Sequence, residues 1–153
     1  MTDVLEFWFP NNDFNKFWFD KTKDKLITNQ FYNRLKVLEN TYINCQEKSD
    51  EELLEIIIIL DQFSRNIYRD NKEQIKLNDI KSLHLANYFF DNRKWNNLPL
   101  NHLIFYLMPF RHTNNIQYYQ KIFEILNLYQ KKNDNIDLYN RFYKATKSRF
   151  NLL

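Results

Sequence analysis

Ser49-Asp50-Glu51-Glu52-Leu53-Leu54-Glu55-Ile56-Ile57-Ile58-Ile59-Leu60-Asp61-Gln62-Phe63-Ser64-Arg65-Asn66 is the stretch on which the fold turns. Four consecutive isoleucines have strand propensity, so the run alone is ambiguous. The residues before it decide: Ser49 followed three positions later by Glu52 is a capping box, which opens a helix. The polar continuation after Leu60 also suits a helix. A helix apolar on every side is a buried one, so Ile56 to Leu60 is expected at the centre of the molecule.

Helical spacing extends outward from this stretch. Ile27, Phe31, Leu35 and Leu38 share one helix face. Ile80, Leu83, Asn87 and Phe90 predict another helix, capped by Asn78 or Asp79. Pro99 suits the first turn of the next, with Leu100, Leu103, Ile104 and Leu107, and Pro109 is expected to stop it. Thr113 or Asn114 then caps Ile116, Tyr119, Phe123 and Leu126, and Leu138, Phe142 and Ala145 mark the last helix. Hairpin signals are missing, because the sequence has no glycine and only three prolines. The expectation is an all-α chain of six or seven antiparallel helices in one domain, residues 1–153.

The composition excludes several function classes. Zero glycine removes Walker loops, dinucleotide fingerprints and nucleophile elbows. A single cysteine, Cys45, removes disulfide frameworks and cysteine-based metal sites. No metal or cofactor motif is visible, and none is expected. Asn occurs 22 times and Ala twice, the mark of an AT-rich genome. Without glycine, helix C-termini that need a left-handed residue are expected to use Asn. A net charge of +3 with mixed signs does not require a nucleic-acid partner. Met1 to Pro10 has no basic leader and no run can span a bilayer, so a soluble, intracellular, reducing setting is expected.

Two clusters could carry chemistry. Asp61 and Arg65 are four apart, and Gln62 and Asn66 repeat the spacing beside them. They could form a pocket floor for a polar or anionic ligand, or an internal network that fixes helix packing. The second cluster is Pro109-Phe110-Arg111-His112-Thr113, with Gln117 and Gln120. There His112 could act as acid, base or anion ligand at a helix N-terminus, or simply orient backbone. His84 and His102 read as surface or half-buried. The aromatic block Phe7, Trp8, Phe9, Phe14, Phe17, Trp18 and Phe19 reads as core. Arg141, Lys144, Lys147 and Arg149 could hold phosphates, or serve as a solvated face at a helix C-terminus.

Four segments carry a family resemblance. They are Val4-Leu5-Glu6-Phe7-Trp8-Phe9; Trp18-Phe19; Ile58-Ile59-Leu60-Asp61-Gln62-Phe63-Ser64-Arg65-Asn66-Ile67-Tyr68-Arg69; and Phe105-Tyr106-Leu107-Met108-Pro109-Phe110-Arg111-His112 with Gln120. In order and spacing the chain resembles the family catalogued as domain of unknown function 924. The resemblance implies an all-helical, tetratricopeptide-repeat-like fold. It singles out Trp8, Asp61, Gln62, Arg65, Asn66, Arg69, His112 and Gln120 as residues that bind a ligand or partner. It implies no reaction. Ser64 stands where the family usually has proline and Asp70 where it has glycine. The family's acids around the histidine are Arg111, Asn114 and Asn115 here, and its arginine-rich C-terminal tail is shortened.

Three functions compete. The favoured one is a non-catalytic helical binding or scaffold module that engages a protein partner or larger assembly through the Asp/Gln/Arg/Asn surface. His112 is the one plausible acid or base, and no carboxylate in its own segment can orient it. The alternative is a small enzyme or binding protein for a small carboxylate or phosphate, using Asp61, Arg65 and His112 together. That alternative fails if the His112 ring lies more than about 10 Å from the Arg65 guanidinium. A nucleic-acid binder using the C-terminal cations comes third.

Overall fold

A computed structural model describes residues 3–10 and 18–153. The expected Phe14 and Phe17 core positions lie outside the described residues. Seven helices and no strand occur among the described residues. They are α1 (Asp3–Trp8), α2 (Asp24–Glu39), α3 (residues 50–67), α4 (Lys72–Asn92), α5 (Leu100–Arg111), α6 (Ile116–Leu128) and α7 (Ile136–Phe150). Helix α3 packs on α2, α4 and α5, and α5 in turn packs on α4, α6 and α7. No helix among the described residues is long and apolar enough to cross a membrane.

The opening of α3 follows its sequence. Ser49 Oγ accepts from the Glu52 backbone N–H and the Glu52 carboxylate accepts from the Ser49 N–H, completing the capping box. Leu53, Leu54 and Ile56 to Leu60 are buried. The helix is not uniform, however. Ile58–Phe63 is a π-helical segment between α-helical Asp50–Ile57 and Ser64–Ile67. A wider turn rotates the residues beyond it by roughly 100° around the axis, the angle one residue subtends in an α-helix.

Several sequence expectations need correction. Helix α4 begins at Lys72, where the Asn71 side chain accepts from the Gln74 N–H, and not at Asn78 or Asp79. Its buried face is Asn78, Ser82, Leu85, Ala86 and Phe89, which leaves Ile80 exposed. Pro99 is the N-cap of α5, one position ahead of its first turn. Pro109 does not end α5, because its fixed φ is itself helical and the ladder closes beyond it, from the His112 N–H to the Met108 carbonyl. Asn115, not Thr113 or Asn114, caps α6, and Ile116 is exposed. On α7 the buried residues are Tyr139, Phe142 and Thr146, with Ala145 exposed.

Asparagine serves both helix ends, but not in the left-handed form expected: Asn40 and Asn151, the C-caps of α2 and α7, have φ of −108° and −67°. Asn71, Asn115 and Asn135 cap the N-termini of α4, α6 and α7. Among the described residues the only positive φ belongs to Phe19, at 67°. His102 is buried, not half-exposed, with its ring 4.6 Å from that of Phe9, and burial lowers its pKa. Cys45 is buried too, and burial pushes its thiol up, away from the reactive thiolate.

Candidate functional site

The polar continuation of α3 splits into two groups that face different helices. On one side, Gln62 Nε2 donates to Asn66 Oδ1 at 3.1 Å, and Asn66 Nδ2 donates to Asp24 Oδ1 at 2.9 Å. Arg69 closes on the same Asp24 carboxylate at 2.5 and 2.8 Å. Gln62, Asn66 and Arg69 therefore tie α3 to the start of α2, and Arg69 alone among them is exposed. Next to this seam the nearly buried Glu39 carboxylate accepts from Gln74, Asn78 and Tyr68.

On the other side, Asp61 is 2% exposed and takes partners from its own helix and from the end of α5. Its Oδ1 lies 3.1 Å from Arg65 Nη1 and 2.8 Å from His112 Nδ1. Arg65 also grips Asp79 of α4 with both terminal nitrogens, at 2.7 and 2.9 Å. This bidentate fork is the strong form of the arginine–carboxylate pair. Since His112 and Arg65 reach the same oxygen, they share one site, well inside the separation that would have divided them.

Burial presses Asp61 toward its neutral form, but His112, followed by Arg65, outweighs burial and holds the carboxyl below its ordinary range. Asp79 goes the other way: burial dominates, opposed by Arg65, and its carboxyl is raised. Arg65 is raised despite burial, because Asp61 and Asp79 flank it. One carboxylate is fixed as an anion, then, while its neighbour is the readier of the two to take a proton.

His112 sits at the C-cap of α5, not at a helix N-terminus. The carboxylate missing from its own segment is supplied across the fold by Asp61. An acceptor at Nδ1 places the proton of the neutral ring on that nitrogen and leaves Nε2 as the acceptor. Nε2 has no protein partner among the described residues.

Asp61, Asp79 and His112 offer donor atoms within 4.8 Å of one another, a spacing that a cation could bridge. The Arg65 guanidinium already occupies the space between the two carboxylates. A divalent ion would have to displace it or lie against a like charge, so the geometry does not favour a metal.

Two residues singled out by the sequence do not join either group. Trp8 is 0% exposed and packs edge-on to Phe63 and Phe105, which makes it core rather than a binding surface. Gln120 is exposed on α6 and has no polar contact with the cluster among the described residues. The C-terminal cations are partly engaged: Arg141 pairs with Asp137 at 3.2 Å, Lys147 lies over Phe150, and Arg149 Nε donates to the Tyr119 hydroxyl. Asp79 and Asp24 are the participants that sequence reasoning missed. A polar Asn78-Asp79 pair inside an otherwise amphipathic helix was the available signal.

The molecule is thus an all-helical protein with a partly buried Asp–Arg–Asp–His cluster at a helix junction. Residues 4–152 match the family described as a bacterial protein of unknown function (DUF924), and the chain belongs to that family. No curated protein and no solved structure matches it.

Proposed function

We propose that the chain binds a small polar ligand at His112 and exchanges a proton with it. The observation that carries this reading is the 2.8 Å contact between His112 Nδ1 and the buried Asp61 carboxylate. That contact orients the ring and leaves Nε2 to accept from a ligand hydroxyl or acid group. Arg65 holds Asp61 in place, and because two carboxylates already match its charge, it supports the site from behind rather than recruiting an anion.

The test is an NMR screen of small polar fragments on histidine-labelled protein. Binders are expected to move the His112 ring resonances, to lose affinity in His112→Ala and to weaken in Asp61→Asn. Fragments that bind without moving those resonances, or no binder at millimolar concentration, would refute the reading.

The scaffold reading draws on another face. Residues 39–43 together with Ile80, Lys81, His84 and Leu85 border an open cavity of about 620 Å³. Tyr42 and Ile80 there are 89% and 62% exposed. Exposed apolar surface of this kind suits a protein partner. Substituting Tyr42→Ser should abolish co-purification of such a partner while leaving fragment binding at His112 intact.

A further inference from the structure

Arg111 is one residue before His112, and its side chain takes a different direction, as adjacent helical positions do at about 100° apart. It lines a cavity of about 340 Å³ between α5 and α7, walled by Trp18, Phe19, Ile104, Met108, Leu138 and Phe142. The volume falls in the range of small-molecule sites, about 300–1,000 Å³, and the walls have the expected apolar character.

The guanidinium has no ion-pair partner among the described residues, and it donates to no protein acceptor among them. Its Nε is buried without a partner. Its carbon lies 5.3 Å from the centre of the Phe142 ring, a stacking contact that leaves the planar N–H edges free. Burial and then the neighbouring Arg149 work against its charged form and outweigh the opposing pull of Tyr119 and Asp61. Arg141 at the cavity's edge is matched by Asp137, so Arg111 carries the unmatched charge. An unpaired, partly buried cation costs free energy that a bound anion would recover.

We propose that this cavity binds a small carboxylate carried on an apolar body. The carboxylate meets the planar fork of Arg111, which matches it bidentately, and the body fills the space between α5 and α7. Inorganic phosphate fits less well, since apolar walls would desolvate its additional charge without donors to compensate.

Isothermal titration of the full chain with sodium octanoate, octanol and sodium phosphate tests the site. Octanoate is expected to saturate at one equivalent, octanol to bind at least tenfold more weakly, and phosphate not to displace octanoate. Arg111→Met, which keeps the volume and removes the charge, should weaken octanoate at least tenfold. Ala145→Leu projects into the cavity from an exposed position of α7 and should abolish binding with the fold intact. The proposal is overturned if octanoate gives no saturable heat, if octanol matches it, if phosphate competes, or if Arg111→Met binds as the parent does. Should Arg111→Met fail to fold, undiminished binding by Ala145→Leu overturns it instead.

Discussion

Arg65 and Arg111 are both partly buried arginines at helix positions close to the junction of α3 and α5. Arg65 is surrounded: Asp61 and Asp79 reach it from two helices, and both carboxylates lie within 3.1 Å. Arg111 has an aromatic face, a like-charged neighbour and an apolar cavity, but no acid paired with it among the described residues. The first arrangement is complete within the chain and holds helices together. The second is complete only when something else arrives. The two residues look alike in sequence, each beside a polar neighbour after an apolar run, so the presence of a matching acid from another helix is what separates a structural cation from a binding one.

The largest expected effect tests this contrast directly. Arg65→Met strands Asp79 and leaves Asp61 with His112 alone, and should cost about 3–5 kcal/mol, while Arg111→Met removes an unpaired, partly buried charge and should cost nothing or stabilise. Urea denaturation of the two variants side by side measures both. Comparable losses would erase the distinction.

The apolar support beneath the matched region comes next. Ile58 begins the π-helical segment that carries Asp61 and is 1% exposed, so Ile58→Ala should cost about 2–5 kcal/mol. A cost below about 1 kcal/mol would move the core elsewhere.

Acid titration separates the two carboxylates of the matched side. Asp61 has a lowered pKa, so its contribution is present above the unfolded value of 3.8 and is lost as pH falls through the lower folded value. Asp79 has a raised pKa, so its contribution is present below 3.8 and is lost as pH rises through the higher folded value. The stability difference between Asp79→Asn and the parent should therefore shift in the variant's favour as pH climbs above 3.8. The deficit of Asp61→Asn should shrink as pH drops below that value. Unfolding curves collected across the acid range that move in the same sense for both variants would reverse the proton assignment.

The smallest effect lies at the seam with α2. Arg69 is 37% exposed on the Asp24 carboxylate, and Arg69→Ala should cost about 1 kcal/mol or less, diminishing with salt. A loss rivalling that of Arg65→Met would make the seam, and not the Asp61 cluster, the main polar tie.

The parts of this molecule that are legible in its sequence are those governed by neighbours along the chain. The Ser49–Glu52 box and the run to Leu60 identify a buried helix, and the spacing of four between Asp61 and Arg65 identifies their pair. Asp79 escapes because its role comes from packing: it meets Arg65 across two helices, and within α4 it looks like a cap. Spacing groups Gln62 and Asn66 with Asp61, yet adjacent helical positions diverge around the axis, and these two turn to Asp24 instead. Family resemblance makes Trp8 a contact residue, but a large aromatic among Val4, Leu5 and Phe9 does more by filling the core. The π-helical turn leaves no mark that periodicity could detect, since the Ile56 to Leu60 run leading into it is apolar at every position.

The asparagine caps of α4, α6 and α7 have a consequence for acid unfolding. An aspartate at an N-cap loses its acceptor charge on protonation, whereas an amide keeps the same hydrogen bond at every pH. Three of the helix starts in this chain are therefore silent to acid, and the capping energy they supply, typically about 1 kcal/mol each, is independent of pH. A potentiometric difference titration between folded and unfolded chain therefore reads the helix-bridging carboxylates, together with the capping carboxylates Asp20 and Glu52, without interference from these three asparagine caps.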